Sequence, residues 1–250
     1  MNNHKALILA AGRGSRMGDH TTNSHKALTR ISGKTLLEWQ INSLKLSNID
    51  KITVVRGYNS QMLKGDFYTI ENNRWMETNM VYSFFCAPEF DCKTIVSYSD
   101  ITYSSEHVKK LIEHKGDIII TADKSWYNLW SLRFEDPFLD AETLKTNENN
   151  HLTDIGGKSN SLSEIEAQYM GLLKFSPKGW HIAFELFNSL DLEQRDKLDM
   201  TTFLSILKDR IDINVLFVDG KWCEVDTYSD LLIYKNKLKE KKEWNHDWRI

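Results

Sequence analysis

Prolines and cysteines are scarce in this chain, with three of each in 250 residues. So few prolines leave long stretches free to form helices and strands without forced breaks. Cys86, Cys92 and Cys223 are odd in number and show no C-x-x-C spacing. They read as reduced, mostly buried thiols rather than a disulfide frame or a zinc site. Long hydrophobic runs are missing too. The apolar stretch Ala6–Ala11 is too short for a signal h-region, and nothing approaches a membrane span. A cytoplasmic protein with no membrane partner is the expectation. A surplus of positive charge is also lacking: 32 Lys and Arg stand against 35 Asp and Glu, a formal net charge of −3. A nucleic-acid partner is therefore not suggested. The eight histidines fall at no zinc-like spacing.

What is present is ordinary globular material, 41% hydrophobic and 27% charged, enough to bury a real core. Short β-prone runs alternate with helical patterns through the first half, the signature of a mostly parallel sheet with crossover helices. Strands are expected at Lys5–Ala10, Lys51–Val55, Tyr68–Ile70, Thr94–Tyr98 and Asp117–Thr121. A helix over Leu36–Leu46 follows from the stripe Leu37, Ile41 and Leu44, and another spans Asn79–Ala87 before Pro88. In the second half, Leu144–Ile155 reads as a hairpin and Gln168–Phe175 as a central strand. Amphipathic helices follow near His181–Leu190 and Thr201–Lys208. Asp219-Gly220, between Asn214–Val218 and Lys221–Val225, is a two-residue hairpin signal. A last helix from Thr227 runs into the charged, solvated tail Lys239–Glu243. No repeat or linker is visible, so one domain is expected over residues 1–250, with a nucleotide half of about 1–120 and an acceptor half of about 121–250.

The informative segment is Leu9-Ala10-Ala11-Gly12-Arg13-Gly14-Ser15-Arg16-Met17-Gly18, directly after the first strand. Glycines there let the backbone approach a ligand and turn successive N–H groups toward phosphate oxygens. Arg13 and Arg16 add fixed positive charge. Two familiar loops fail on spacing. A dinucleotide fingerprint starting at Gly12 needs glycine where Met17 stands, and a Walker A loop ending in Gly33-Lys34-Thr35 needs glycine at Leu28. Gly33-Lys34-Thr35 reads instead as a turn entering a helix, with Thr35 as its cap.

The loop, followed by His25-Lys26-Ala27-Leu28, resembles the signature L-A-A-G-x-G-x-R-M with a downstream Lys-x-Leu of the sugar-nucleotide and phosphocholine nucleotidyltransferases. Sugar-type members usually carry Pro-Lys at the second signature. His25-Lys26, Gly57-Tyr58 and Asn79-Met80-Val81-Tyr82-Ser83 are closer to the phosphocholine cytidylyltransferase branch. That branch includes enzymes acting on phosphocholine, aminoethylphosphonate and phosphoglutamine. The resemblance implies an α/β fold with a Rossmann-like, mostly parallel mixed sheet. It implies a CTP-dependent transfer of CMP to a small phosphorylated or phosphonate acceptor for surface polysaccharide (capsule) or lipid decoration, and it leaves room for a homodimer. It also implies that Leu9, Ala10, Ala11, Gly12, Arg13, Gly14, Ser15 and Arg16 hold base and triphosphate, together with Gly57, Asn79, Ser83 and Ser99. Lys26 would act with Arg16 at the phosphates, and Asp100 and Asp226 would hold Mg²⁺. Either aspartate could instead cap a turn or a helix. The chemistry suits these residue types. An ionised acceptor needs no general base, so the obstacle is bringing one anion onto another.

For the acceptor, Lys124, Trp126 and Arg133 follow the fifth strand, and Glu166, Gln168 and Tyr169 would line the opposite side. Trp126, Trp130, Tyr169 and Trp222 could enclose a quaternary ammonium, although each tryptophan alone is as readily core. Lys124, Arg133 and Glu166 favour an amine-bearing or zwitterionic acceptor. Three rivals are weighed. A sugar-1-phosphate nucleotidyltransferase is disfavoured by His25 in place of proline. A glycosyltransferase is disfavoured because Tyr98 stands where the first residue of Asp-x-Asp would be. A regulator that has lost catalysis is disfavoured because Arg16, Lys26, Asp100 and Asp226 are all retained.

Overall fold

The computed structural model describes residues 4–240 and 243–249. In the first half of the chain the strands are β1 (Lys5–Ala10), β2 (Arg30–Ile31), β3 (Lys34–Thr35), β4 (Ile52–Arg56), β5 (Tyr68–Glu71), β6 (Thr94–Tyr98), β7 (Ile101–Tyr103) and β8 (Ile118–Asp123). Between them lie helices α1 (Leu36–Lys45), α2 (Met80–Phe85) and α3 (Ser105–Glu113). The second half adds α4 (Trp126–Arg133), β9 (Leu144–Thr146), β10 (Leu152–Ile155) and β11 (Gln168–Phe175). It continues with α5 (Pro177–Ser189), α6 (Leu192–Lys197), α7 (Met200–Leu207), β12 (Ile213–Val218), β13 (Trp222–Glu224) and α8 (Tyr228–Lys237).

Seven strands form one sheet in the order β12-β8-β11-β6-β1-β4-β5. All neighbours are parallel except β11, which runs antiparallel to both β6 and β8. β1 shows why the sheet is buried on both faces. Ala6, Ile8 and Ala10 point into one core, and Leu7 and Leu9 into the other, as a period of two requires. The first core is closed by α1, α3, α4 and α8, and the second by α2, α5 and α7. Each fully buried Leu or Ile contributes roughly 1.5–3 kcal/mol, so both faces of β1 add to the two cores. The turn at Gly33-Lys34-Thr35 enters α1 through a capping box. Thr35 Oγ1 accepts from the Glu38 amide at 3.1 Å, and Glu38 Oε2 accepts from the Thr35 amide at 2.6 Å.

One expectation is corrected. Asn214–Val218 and Lys221–Val225 do not form a hairpin. β12 pairs parallel with β8 in the main sheet, whereas β13 pairs antiparallel with β7. The turn's donors are taken elsewhere: the Gly220 amide donates to Asp123 Oδ1 at 2.8 Å, and the Lys221 amide to the Asn245 carbonyl at 2.8 Å. The charged segment Lys239–Glu243 is exposed as expected wherever it is described, and the residues after it pack back. Lys239, Glu240 and Glu243 are exposed, and Lys241 and Lys242 lie outside the described residues, but His246 and Trp248 are buried, Trp248 edge-on to Trp39 of α1. Among the described residues no helix is long and apolar enough to cross a membrane.

Candidate active site

β1 and β6 lie side by side and parallel, with Leu9 opposite Tyr98. Their carboxyl ends therefore deliver the glycine loop and Asp100 to one edge of the sheet, where open α/β sheets bind ligands. Gly14 has φ +65°, and a Cβ placed on it would lie 2.8 Å from Cβ and Cδ of Lys26. Glycine thus lets the loop lie directly on the Lys26 side chain. His25 fixes Lys26 from the other side. Its Nε2 donates to the Ala10 carbonyl at 2.9 Å and its Nδ1 accepts from the Ala27 amide at 3.1 Å. Burial pushes the ring down to about 4, against the opposing pull of the Ala10 bond. A neutral imidazole protonated at Nε2 is the form that satisfies both partners.

Lys26 Nζ sits 2.8 Å from Asp100 Oδ2 and 2.7 Å from Asp226 Oδ1. Burial works against its charge, but the two aspartates outweigh it and the ammonium is pushed up to about 12. Asp226 arrives through the short β7–β13 ladder. Glu224 stands opposite Ile101, and the Val225 amide donates to the Asp100 carbonyl at 2.9 Å. Asp226 Oδ2 meets Arg16 Nη1 at 2.9 Å and Arg133 Nη2 at 3.4 Å. Burial alone would raise the Asp226 carboxyl; Lys26, Arg16 and Arg133 bring it below its usual value. Burial and then Asp226 push Glu224 the other way, up, although Arg133 pulls against them.

Neither aspartate serves as a simple cap. Thr227 caps α8, with its Oγ1 accepting from the Asp230 amide at 3.2 Å, which leaves Asp226 to the ionic cluster. Carboxylate oxygens of Asp100, Glu224 and Asp226 lie within 4.8 Å of one another. Asp100 Oδ1 is buried with no hydrogen-bond partner. Three hard oxygen donors with one unpartnered buried oxygen fit a divalent cation of the Mg²⁺ type. Glu224 is absent from the sequence reading. Its signal was the Glu-x-Asp spacing at a strand end, since alternate residues share a face.

Three cavities meet at Met80. One of about 240 Å³ is walled by Leu9, Gly12, Gly14, Ser15, Arg16, Lys26, Ser99 and Asp100. A narrower cleft of about 130 Å³ runs past Leu9, Ala11, Gly12, Trp75, Asn79 and Ser83. Ser83 Oγ is held by Asn72 Nδ2 at 3.0 Å. Three residues expected at the nucleotide line neither space. Ala10 lies inside β1, Arg13 faces the Tyr58 ring at 5.9 Å, and Gly57 abuts Trp75.

The third cavity, about 280 Å³, lies on the far side of Arg16. Gln168 and Tyr169 line it, with Tyr98, Trp130 and Trp222. Four expected acceptor residues do not. Arg133, its side chain 1% exposed, is enclosed by Glu224, Asp226 and Asp230 behind the wall. Lys124 is exposed and lies over the Phe217 ring. Trp126 packs in the core against Trp130 and Phe138. Glu166 is exposed on the β9 side, where it accepts from Thr146 Oγ1 at 2.8 Å. The cavity's charge comes instead from Asp140, Glu142 and Asp199 with Glu224 and Asp226. Asp140 accepts from Trp130 Nε1 at 3.1 Å, and Asp199 caps α7. Burial raises the Glu142 carboxyl above its usual range.

Comparison with known proteins gives the chain's family. The MobA-like NTP transferase domain family matches residues 6–148. CTP:phosphoglutamine cytidylyltransferase of Campylobacter jejuni is 38% identical over 252 residues, covering 93% of this chain and 99% of that protein. Choline-phosphate cytidylyltransferase of Haemophilus influenzae is 41% identical over 97 residues, 36% of this chain and 42% of its own. Among solved structures, the inositol-1-phosphate CTP transferase of T. maritima superposes with a TM-score of 0.73 at 20% identity, covering 96% of this chain and 98% of that one. That similarity shows the nucleotide-diphospho-sugar transferase fold. By the family match and the full-length relative, the chain belongs to the MobA-like NTP transferase family and is a nucleotidyltransferase of its cytidylyltransferase group.

Proposed function

We propose that the chain transfers CMP from CTP to a small, amine-bearing phosphorylated or phosphonate acceptor, and that pyrophosphate leaves. The observation that carries this reading is the convergence of Lys26, Asp100 and Asp226 under the glycine loop, beside a cavity walled by carboxylates and aromatic rings. The relatives named for phosphoglutamine and choline phosphate support an acceptor of that class. The product would serve surface-polymer or lipid decoration, made in the cytoplasm. One domain is proposed, its nucleotide half ending near residue 120 and its acceptor half completing the site through Glu224 and Asp226.

In this reading the triphosphate lies along the Gly12–Arg16 loop and the base enters the cleft beside Trp75, Asn79 and Ser83. An ionised acceptor oxygen forms a bond to the α-phosphorus while the bond to the bridging oxygen of the β-phosphate breaks, and the electron pair departs with pyrophosphate. No proton has to be removed. Lys26 and Arg16 place positive charge where two anions are pressed together, and the buried position of Lys26 strengthens its effect. Asp100, Glu224 and Asp226 would hold Mg²⁺, which when bound supplies further neutralisation of the phosphate oxygens. Tyr98, Trp130, Tyr169 and Trp222 wall the ammonium end, with Glu142 as its counter-charge.

The test is pyrophosphate release with Mg²⁺ across CTP, UTP, ATP and GTP. Each is paired with phosphoglutamine, phosphocholine, aminoethylphosphonate and glucose 1-phosphate. Turnover is expected with CTP and at least one amine-bearing acceptor. Equal turnover with ATP would contradict the base assignment, and preference for the sugar phosphate would favour a sugar-1-phosphate nucleotidyltransferase.

A further inference from the structure

Two polar residues, Gln40 and Ser43, interrupt the buried face of α1. Leu37 and Leu44 form its buried stripe, and Gln40, which falls between them on the same face, is fully buried. An amide buried there without partners would be strongly destabilising. Both of its ends are used. Nε2 donates to the Ile101 carbonyl at 2.7 Å, and Oε1 accepts from Ser97 Oγ at 3.0 Å. A carbonyl can only accept, so the orientation of the amide is fixed by its partners.

Those two partners flank Asp100. Ser97 stands in β6 before the turn, and Ile101 is the first residue of β7 after it. Ile101 is also the residue opposite Glu224, and the Asp100 carbonyl accepts from the Val225 amide. A single side chain thus clamps both sides of the turn that presents Asp100 and the strand on which Glu224 and Asp226 are registered. The same helix supplies an internal control. Ser43 Oγ donates to the Tyr103 carbonyl at 2.7 Å, the same kind of bond at the end of β7 away from Asp100.

We propose that Gln40 is a positioning residue that sets the spacing of the Asp100–Glu224–Asp226 carboxylates from behind. This rests on the reading of those carboxylates as the divalent-cation site. The local rule it breaks, a polar side chain at a core position, is the kind of exception found where function requires one. Residues behind metal ligands act in this way, and their loss typically weakens metal binding about 10- to 100-fold.

The experiment compares Gln40→Met, which keeps length but neither donates nor accepts, with Ser43→Ala and Ser97→Ala. Circular dichroism checks folding, calorimetry in EDTA gives CTP affinity, and electron paramagnetic resonance of free Mn²⁺ gives metal affinity in the presence of CTP. Gln40→Met is expected to bind CTP without metal within about twofold of the parent and Mn²⁺ at least about tenfold more weakly. Ser43→Ala should match the parent in both. Unchanged Mn²⁺ affinity in Gln40→Met, or an equal loss in Ser43→Ala, overturns the proposal. Should Gln40→Met fail to fold, Ser97→Ala decides: a few-fold weakening of Mn²⁺ supports the clamp, and parental affinity overturns it. A parent protein that binds no Mn²⁺ with CTP would sink the cation-site reading itself, which distinguishes that failure from failure of the clamp alone.

Discussion

The proposed site gives Lys26 two duties at once, and they separate experimentally. As the cation aimed at the phosphates, its replacement by Met should lower kcat/KM by at least about a hundredfold. As the counter-ion between Asp100 and Asp226, its loss should also lower stability, by up to about 3 kcal/mol in a urea titration. Arg16 is exposed and should show the kinetic loss without the stability loss. A Lys26→Met protein of parental activity would contradict the site. The cavity proposed for the acceptor gives a paired prediction. Glu142→Gln should raise the acceptor KM by about tenfold or more through loss of a partly buried counter-charge. Glu166→Gln should change acceptor kinetics little, because that carboxylate is exposed and spent on Thr146. The opposite ranking would move the acceptor to the β9 face. From the sequence alone Glu166 is the expected pocket carboxylate, and the cavity proposed for the acceptor is lined by Glu142 instead. Strand and loop geometry decides which acidic residue turns inward, and the motif near Gln168 does not encode the position of Glu142, 26 residues earlier, whose amide meets the Gln168 side chain.

Elements near the motifs were legible and those built by distant pairing were not. β1, α1, β4, β6, β8 and β11 follow from local patterns of apolar residues and caps. The three-residue strand β7 escaped because it has too few residues to show a period; β13 falls within the expected Lys221–Val225 strand, but the Asp219-Gly220 signal pointed it at the wrong partner. That short ladder is nonetheless what carries Asp226 to Asp100. At the other wall, Gly171 interrupts the β11–β8 register with φ +74°, and a Cβ there would lie 2.5 Å from Cδ2 of Tyr98. Gly171→Ala should therefore cost at least about 1 kcal/mol in stability. Displacement of the Tyr98 ring should also reduce kcat/KM for the acceptor. An Ala variant with parental stability and acceptor kinetics would show that the bulge does not shape the cavity.

Over the whole molecule, buried neutral histidines tie stability to pH. His25 and His107 are each held down to about 4, chiefly by burial, against an unfolded value near 6.5. A base whose pKa is depressed by folding takes up more protons when unfolded. Its stabilising effect is complete above about pH 6.5 and is lost as pH falls toward 4. Each ring should account for about 2 kcal/mol of lost stability by pH 5, seen as a fall in the urea midpoint between pH 8 and pH 5. An unchanged midpoint would contradict the neutral, backbone-bonded His25. The central claim is that both halves of the chain build one nucleotidyl-transfer site. Its most direct test is phosphorus NMR of the protein mixed with CTP, Mg²⁺ and amine-bearing phospho-acceptors. A CMP-bearing product (CDP-linked from a phosphate acceptor) and pyrophosphate are expected in equal amounts, with both abolished by EDTA and by Lys26→Met. CTP left intact with every acceptor, or hydrolysed without transfer of CMP to an acceptor, would contradict the claim.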